Sequence, residues 1–152
     1  MKSIAVALVF LITLQAQAIT WKVYGACSET PVYEGTYNAD LSKSLGHISQ
    51  AIFDSNKIPY VGAPEGYNSI LNTPVDLDSI EVVSDKEMRV YGWCFAVNKK
   101  MPQAMPHKVN FTTQNDELMW YYAYSTNLEG KWLDDYCSPA YWVQAKQFCK
   151  GR

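Results

Sequence analysis

Two stretches of this chain are apolar on both of the faces a strand presents, and they constrain the fold more than any other feature. Between Met88 and Val97, the residues Tyr91, Trp93, Phe95 and Val97 share one face, while Val90, Gly92, Cys94 and Ala96 share the other. Between Glu117 and Ser125, Leu118, Trp120, Tyr122 and Tyr124 alternate with Met119, Tyr121 and Ala123. Strands of this kind lie inside a sheet that is covered on both sides. Shorter extended pieces are expected at Trp21–Gly25, Pro31–Tyr37, Ile80–Val83, Lys108–Thr113 and around Trp132, separated by turns at Asp85-Lys86, Asn98-Lys99-Lys100, Gln114-Asn115-Asp116 and Asn127–Gly130.

One long helix accompanies them. Leu41, Leu45, Ile48 and Ile52 recur at helical spacing, Asp40 or Ser42 is placed to cap the start, and Asn56 with Pro59 ends it. Its apolar stripe needs a partner, and the sheet is the partner large enough to cover it. The segment Pro59–Pro74 holds three prolines and two glycines among scattered apolar residues, which predicts a long crossing loop within one domain. Tyr141, Ala145 and Phe148 are spaced for a short helix near the C-terminus. The expected class is therefore α+β: a mixed sheet packed on one main helix, with a short C-terminal helix.

The N-terminus points to export. Lys2 precedes an apolar run from Ile4 to Leu14, and Ala16-Gln17-Ala18 supplies the small-x-small pattern of a signal-peptidase site. Cleavage is expected after Ala18, leaving residues 19–152 as one secreted or periplasmic domain. The run is about half the roughly 20 residues needed to span a bilayer, and no second such stretch follows. Cys27, Cys94, Cys137 and Cys149 form an even set suited to two disulfides in an oxidising compartment. Four cysteines allow three pairings and spacing does not choose among them; Cys94–Cys137 with Cys27–Cys149 is the working assignment. No Cys-x-x-Cys spacing suggests zinc, and no metal site is expected.

Catalytic signatures are absent from the sequence. Its two histidines, His47 and His107, have no evident local partner, and neither Gly-x-Ser-x-Gly nor His-Glu-x-x-His occurs. Asp76-Leu77-Asp78 lacks the glycine and distal glutamate of a calcium loop. No catalytic residue is assigned; a hydrolase would need converging carboxylates, such as Asp134 or Asp135 with Glu117. A formal net charge of -2 removes the basic surface that nucleic-acid binding requires.

The aromatic content is more informative. Five Trp, eleven Tyr and five Phe make up 14 % of the chain. Tyr and Trp join a large apolar body to a polar edge, and a run such as Trp120-Tyr121-Tyr122-Ala123-Tyr124 cannot hide every ring behind one sheet. Some rings are expected to line a groove that binds a small soluble ligand or a partner protein. The competing reading is a structural envelope or surface protein in which every ring is packed.

Two motifs carry a family resemblance. Gly92, Trp93, Phe95, Val97 and Asn98 fill a "Gly-Trp-x-Tyr-x-Val-Asn-Gly" pattern, and Asp116, Leu118, Trp120 and Tyr122 fill a "Gly-Asp-x-Ile-x-Trp-x-Tyr" pattern. In these the chain resembles the secreted domain of unknown function 4430 family, also called transcobalamin-like C-terminal; Lys99 and Asn115 stand where that family has glycine. The resemblance implies a β-grasp fold and a non-catalytic binding module. Its implied ligand-binding candidates are Trp93, Asn98, Trp120 and Tyr122 with the Asn98–Pro106 loop. Cobalamin itself is not inherited, because the helical domain that forms the other half of the carrier's pocket has no counterpart in this chain, so no cofactor is assigned although a cobalamin-like ligand is compatible with the fold.

Overall fold

In the computed structural model, residues 18–149 are described, so the expected leader lies outside the described residues except for Ala18. The two doubly apolar runs become β6 (Glu87–Val97) and β7 (Glu117–Leu128), paired antiparallel from Glu87↔Leu128 to Val97↔Leu118. β1 (Ile19–Tyr24) runs parallel to β7, from Thr20↔Glu117 to Tyr24↔Tyr121, and pairs antiparallel with β2 (Tyr33–Tyr37). β5 (Ile80–Ser84) closes the other side against β6, giving the order β2-β1-β7-β6-β5. Two short strands, β8 (Lys131–Trp132) and β9 (Ser138–Pro139), pair with β7 beyond the end of β1. The result is the mixed sheet on one main helix that the sequence predicts.

That helix, α1 (Leu45–Asn56), covers one face of the sheet. Leu45, Ile48, Ile52 and Phe53 pack on Ile19, Trp21, Val23, Phe95, Leu118 and Trp120, all of them buried. Burial of each such side chain is worth about 1.5–3 kcal/mol, and this is the largest of the buried clusters. The helix starts one turn later than its apolar spacing suggests, with Ser44 as N-cap. Asp40 and Ser42 are diverted into a turn: the Ser42 amide and hydroxyl both donate to the Asp40 carboxylate, at 3.0 and 2.6 Å, and the Lys43 amide donates to the Asp40 carbonyl. Such a local side-chain bond competes with helical pairing. Leu41 therefore reaches the core from a turn.

Two other expectations change. Pro59–Pro74 is not an open loop, because Tyr60–Ala63 and Gly66–Ile70 pair as the hairpin β3–β4. Tyr67 packs its ring on Phe53 and Trp120, at 5.1 and 5.2 Å between centroids, and donates its hydroxyl to the Gly46 carbonyl at 2.8 Å. The prolines flank the hairpin or sit in its turn, positions where a missing amide costs nothing. Gly46 permits the contact, since a Cβ there would overlap the Pro64 carbonyl.

Lys108–Thr113 is not a strand. A single 3₁₀ turn, Pro106–Lys108, leads into a segment whose Val109 carbonyl accepts the Leu45 amide at 2.7 Å and so serves the helix N-terminus. Near the C-terminus the expected short helix is present, as the 3₁₀ helix Ala140–Trp142. There Ala140, Ala145 and Phe148 pack near Tyr91 and Tyr122, while Tyr141 turns toward Tyr24.

Cys27 is bonded to Cys149 and Cys94 to Cys137. These pairs point to an oxidising compartment. No helix among the described residues is long and apolar enough to cross a membrane.

Candidate functional site

Alternation along β6 and β7 decides where the candidate residues go. Trp93, Trp120 and Tyr122 all fall on the helix-side face. Trp120 is 2 % exposed and its indole N–H donates to Ser49 Oγ at 2.9 Å. Tyr122 is fully buried, stacked 5.8 Å from Tyr91 and edge-on to Phe148 at 5.4 Å, and burial pushes its phenol well above the usual range. Tyr122 lines neither depression described below, which corrects the expectation for that ring, whereas Trp120 is buried except where it floors the second of them. Their alternation was legible; that the hairpin and the C-terminal segment cover that face was not.

Asn98 is occupied as well. It adopts a left-handed conformation at φ 51°, its side-chain amide donates to Asp116 Oδ1, and its side-chain oxygen accepts the Glu117 amide, each at 2.9 Å. Asp116 is the hub of this turn. Burial opposes its charge, but the Asn98 side chain and the amides of Thr113 and Thr112 outweigh that and hold its carboxyl down at about 2. Trp93 forms a wall of an open depression and Trp120 lies at its base. The Trp93 indole N–H is anchored on Thr73 Oγ1 at 2.7 Å, which fixes that wall.

Two depressions meet beside the Cys94–Cys137 disulfide. The first, about 490 Å³, lies on the sheet face away from the helix. Its floor is Val90, Gly92 and Cys94 of β6 with Ala123 and Ser125 of β7, and Trp132 and Tyr136 flank it. Nothing lies within 4 Å of where a Gly92 Cβ would be, so the absence of a side chain there leaves the groove open. The second, about 510 Å³, is a cleft between Trp93 and Phe95 of β6, Gly66–Asn68 of β4, and the Met101–Pro106 loop, with Trp120 beneath. Trp93, Cys94, Tyr136 and Cys137 line both.

A strap builds this surface. The left-handed pair Glu129 and Gly130 reverses the chain after β7. Trp132 then pairs opposite Asn127, the Leu133 amide donates to the Thr126 carbonyl, and Asp135 Oδ1 accepts the Thr126 amide, both at 2.9 Å. The disulfide carries the strap across to β6. Backbone and disulfide hold the segment, so its rings remain free: Trp132 is 58 % and Tyr136 70 % exposed. The alternative in which every ring is packed does not describe these residues. Neither ring was singled out as a binding residue from sequence; the available signal was an aromatic pair in a stretch too short to form a covered strand.

Two of the three carboxylates considered for a hydrolase, Glu117 and Asp135, hold structural bonds, and Asp134 is exposed. Glu117 accepts from Lys22 at 3.2 Å, and Asp135 holds the Thr126 amide. Tyr91 donates to Glu81 at 2.6 Å, and Arg89 meets Glu87 at 2.9 Å. Among the described residues, no three His, Cys, Asp or Glu side chains come together as a metal site.

No family model matches the chain. No curated protein matches it either. Among solved structures, it aligns with the crystal structure of a "putative metal binding protein" from Ruminococcus gnavus, over 71 % of this chain and 99 % of that one, at 12 % identity and a TM-score of 0.43. A likeness of that degree carries no argument about ligand.

Proposed function

We propose that the protein is an exported, non-catalytic binding module that takes a small soluble ligand or a segment of a partner protein on the surface around the Cys94–Cys137 disulfide. The observation that carries this reading is Tyr136, an open aromatic ring standing where two depressions of about 490 and 510 Å³ meet. Both volumes lie in the usual range of ligand pockets. Scattered exposed rings need no explanation, but two rings beside an apolar groove form a patch of the kind that binds. Engagement of Glu117 and Asp135 in structural bonds favours binding over hydrolysis. The resemblance to the transcobalamin-like family fits this reading, since its motif residues Gly92 and Trp93 become a groove floor and a cleft wall.

The test is titration with the apolar dye anilinonaphthalene sulfonate. The wild type should bind it saturably, and Tyr136→Ala combined with Trp132→Ala should remove most of the bound-dye emission at unchanged thermal midpoint. Dye binding that survives both substitutions, or is absent from the wild type, places the site elsewhere.

A further inference from the structure

The cleft has a property that its side chains do not reveal: it lies along an unpaired sheet edge. The Asn98 amide donates across to the Glu117 carbonyl of β7 at 2.9 Å. In an antiparallel ladder every second residue repeats that direction, so Ala96, Cys94 and Gly92 also turn their amides and carbonyls toward β7. Val97, Phe95 and Trp93 turn theirs the opposite way. Val97 spends both groups on Lys100, at 2.9 Å each. β5 pairs with β6 only as far as Val90. Trp93 and Phe95 are thus left with amides and carbonyls on an edge that no strand among the described residues pairs, and the same two residues line the cleft.

An unpaired edge recognises one kind of ligand by chemistry alone, an extended backbone. The walls suit the side chains of such a segment. Met101, Met105 and Tyr136 offer soft, adaptable apolar contact on its alternate residues. Charge selects further. On the loop side, the stretch 98–108 carries Lys99, Lys100 and Lys108 and no acid, on a chain whose net charge is -2, while the facing hairpin turn contributes Glu65 and the strap carries Asp134 and Asp135 just before Tyr136.

We infer that the β6 edge at Trp93–Phe95 is a docking site for an extended, acidic segment of a partner protein, added as a strand inside the cleft. The inference rests on the binding-module reading and narrows its ligand from an unspecified molecule to a polypeptide. Pairing opposite Trp93 and Phe95 would give up to four main-chain hydrogen bonds, with specificity left to the alternate side chains.

The experiment is amide hydrogen exchange and chemical-shift mapping of the isotope-labelled, oxidised protein. The probe is a blocked hexapeptide, acetyl-Glu-Val-Tyr-Val-Thr-Glu-amide. In the free protein the Trp93 and Phe95 amides should exchange faster than those of Cys94 and Ala96, and the peptide should slow them. N-methylation of the alternate peptide residues that face β6 should weaken binding about ten-fold or more, whereas methylating the other set should not. Replacing both peptide glutamates by lysine should also weaken binding, and Lys99→Gln with Lys100→Gln should erase that difference. Slow exchange at Trp93 and Phe95 in the free protein, or equal effects of the two methylated sets, overturns the inference. So does protection that rises with protein concentration alone, which would assign the edge to a second copy. Loss of peptide binding together with retained dye binding sinks strand addition while leaving the broader reading standing.

Discussion

The two faces of the central strands carry similar aromatic residues to opposite ends. On the helix side, Trp120 and Tyr122 lie against α1, the β3–β4 hairpin and Phe148, with Trp120's polar edge spent on Ser49. On the far side no helix among the described residues arrives, and a strap held by backbone bonds and a disulfide leaves Trp132 and Tyr136 open above small residues. The aromatic excess is thus divided between a core that needs rings for volume and a surface whose rings fill no structural role. What separates them is whether another element lies on top.

The sharpest test substitutes one ring from the packed face. Trp120→Ala removes a side chain that is 2 % exposed and leaves Ser49 without its partner. A loss of about 4 kcal/mol is expected, measured by urea unfolding of the oxidised protein. A loss below about 1 kcal/mol would mean that the helix face is no better packed than the outer one, and the contrast would fail.

Next in size is the disulfide that holds the strap. Replacing Cys94 and Cys137 together by alanine opens a loop with a sequence separation of 43 and should cost up to about 4 kcal/mol. It should also lower dye binding, because Tyr136 then lacks its anchor. Dye binding at full strength after this change would show that the groove does not depend on the strap.

These contrasts show what the sequence could reveal. Doubly apolar alternation over Met88–Val97 and Glu117–Ser125 suffices to place two interior strands, and the spacing of Leu45, Ile48 and Ile52 suffices to lay a helix on them. The β3–β4 hairpin was hidden because its prolines, local signals of a loop, mark its ends and turn, whereas its stability comes from Tyr67 meeting Phe53 and Trp120 far away in sequence. The site was half visible for the same reason. Trp93, Trp120 and the Met101–Pro106 part of the expected loop border the cleft, but alternation names two faces without saying which one another element will cover. Tyr136 becomes a site residue only once Cys137 is tied to Cys94, a long-range fact.

A smaller effect comes from the turn that joins the two faces. Asp116 is held at about 2, below its ordinary 3.8, by Asn98 and the Thr112 and Thr113 amides. A depressed carboxylate stabilises the fold above its unfolded value, and that contribution disappears as the pH falls from about 4 through about 2. About 1–2 kcal/mol should be lost over this window. Asp116→Asn should be less stable at neutral pH and should flatten this part of the stability profile, as followed by urea midpoints between pH 5 and 2. A profile of unchanged slope would assign the acid sensitivity to another carboxylate.

The least costly change should be the most telling about the outer face. Trp132 is 58 % exposed, and β8 pairs through its backbone, so Trp132→Ala leaves the Asn127 pairing intact and should shift stability by no more than about 0.5 kcal/mol. Its effect belongs to iodide quenching. In the wild type the open indoles of Trp132 and Trp142 should be quenched while Trp21 and Trp120 are protected, and the substitution should remove a large share of the quenchable emission. A stability loss approaching that of Trp120→Ala would make Trp132 a packing residue and erase the distinction between the faces. Unchanged quenching would mean that the groove is covered in solution. The joint result, little stability lost and much quenching lost, is expected of a ring kept free for a ligand.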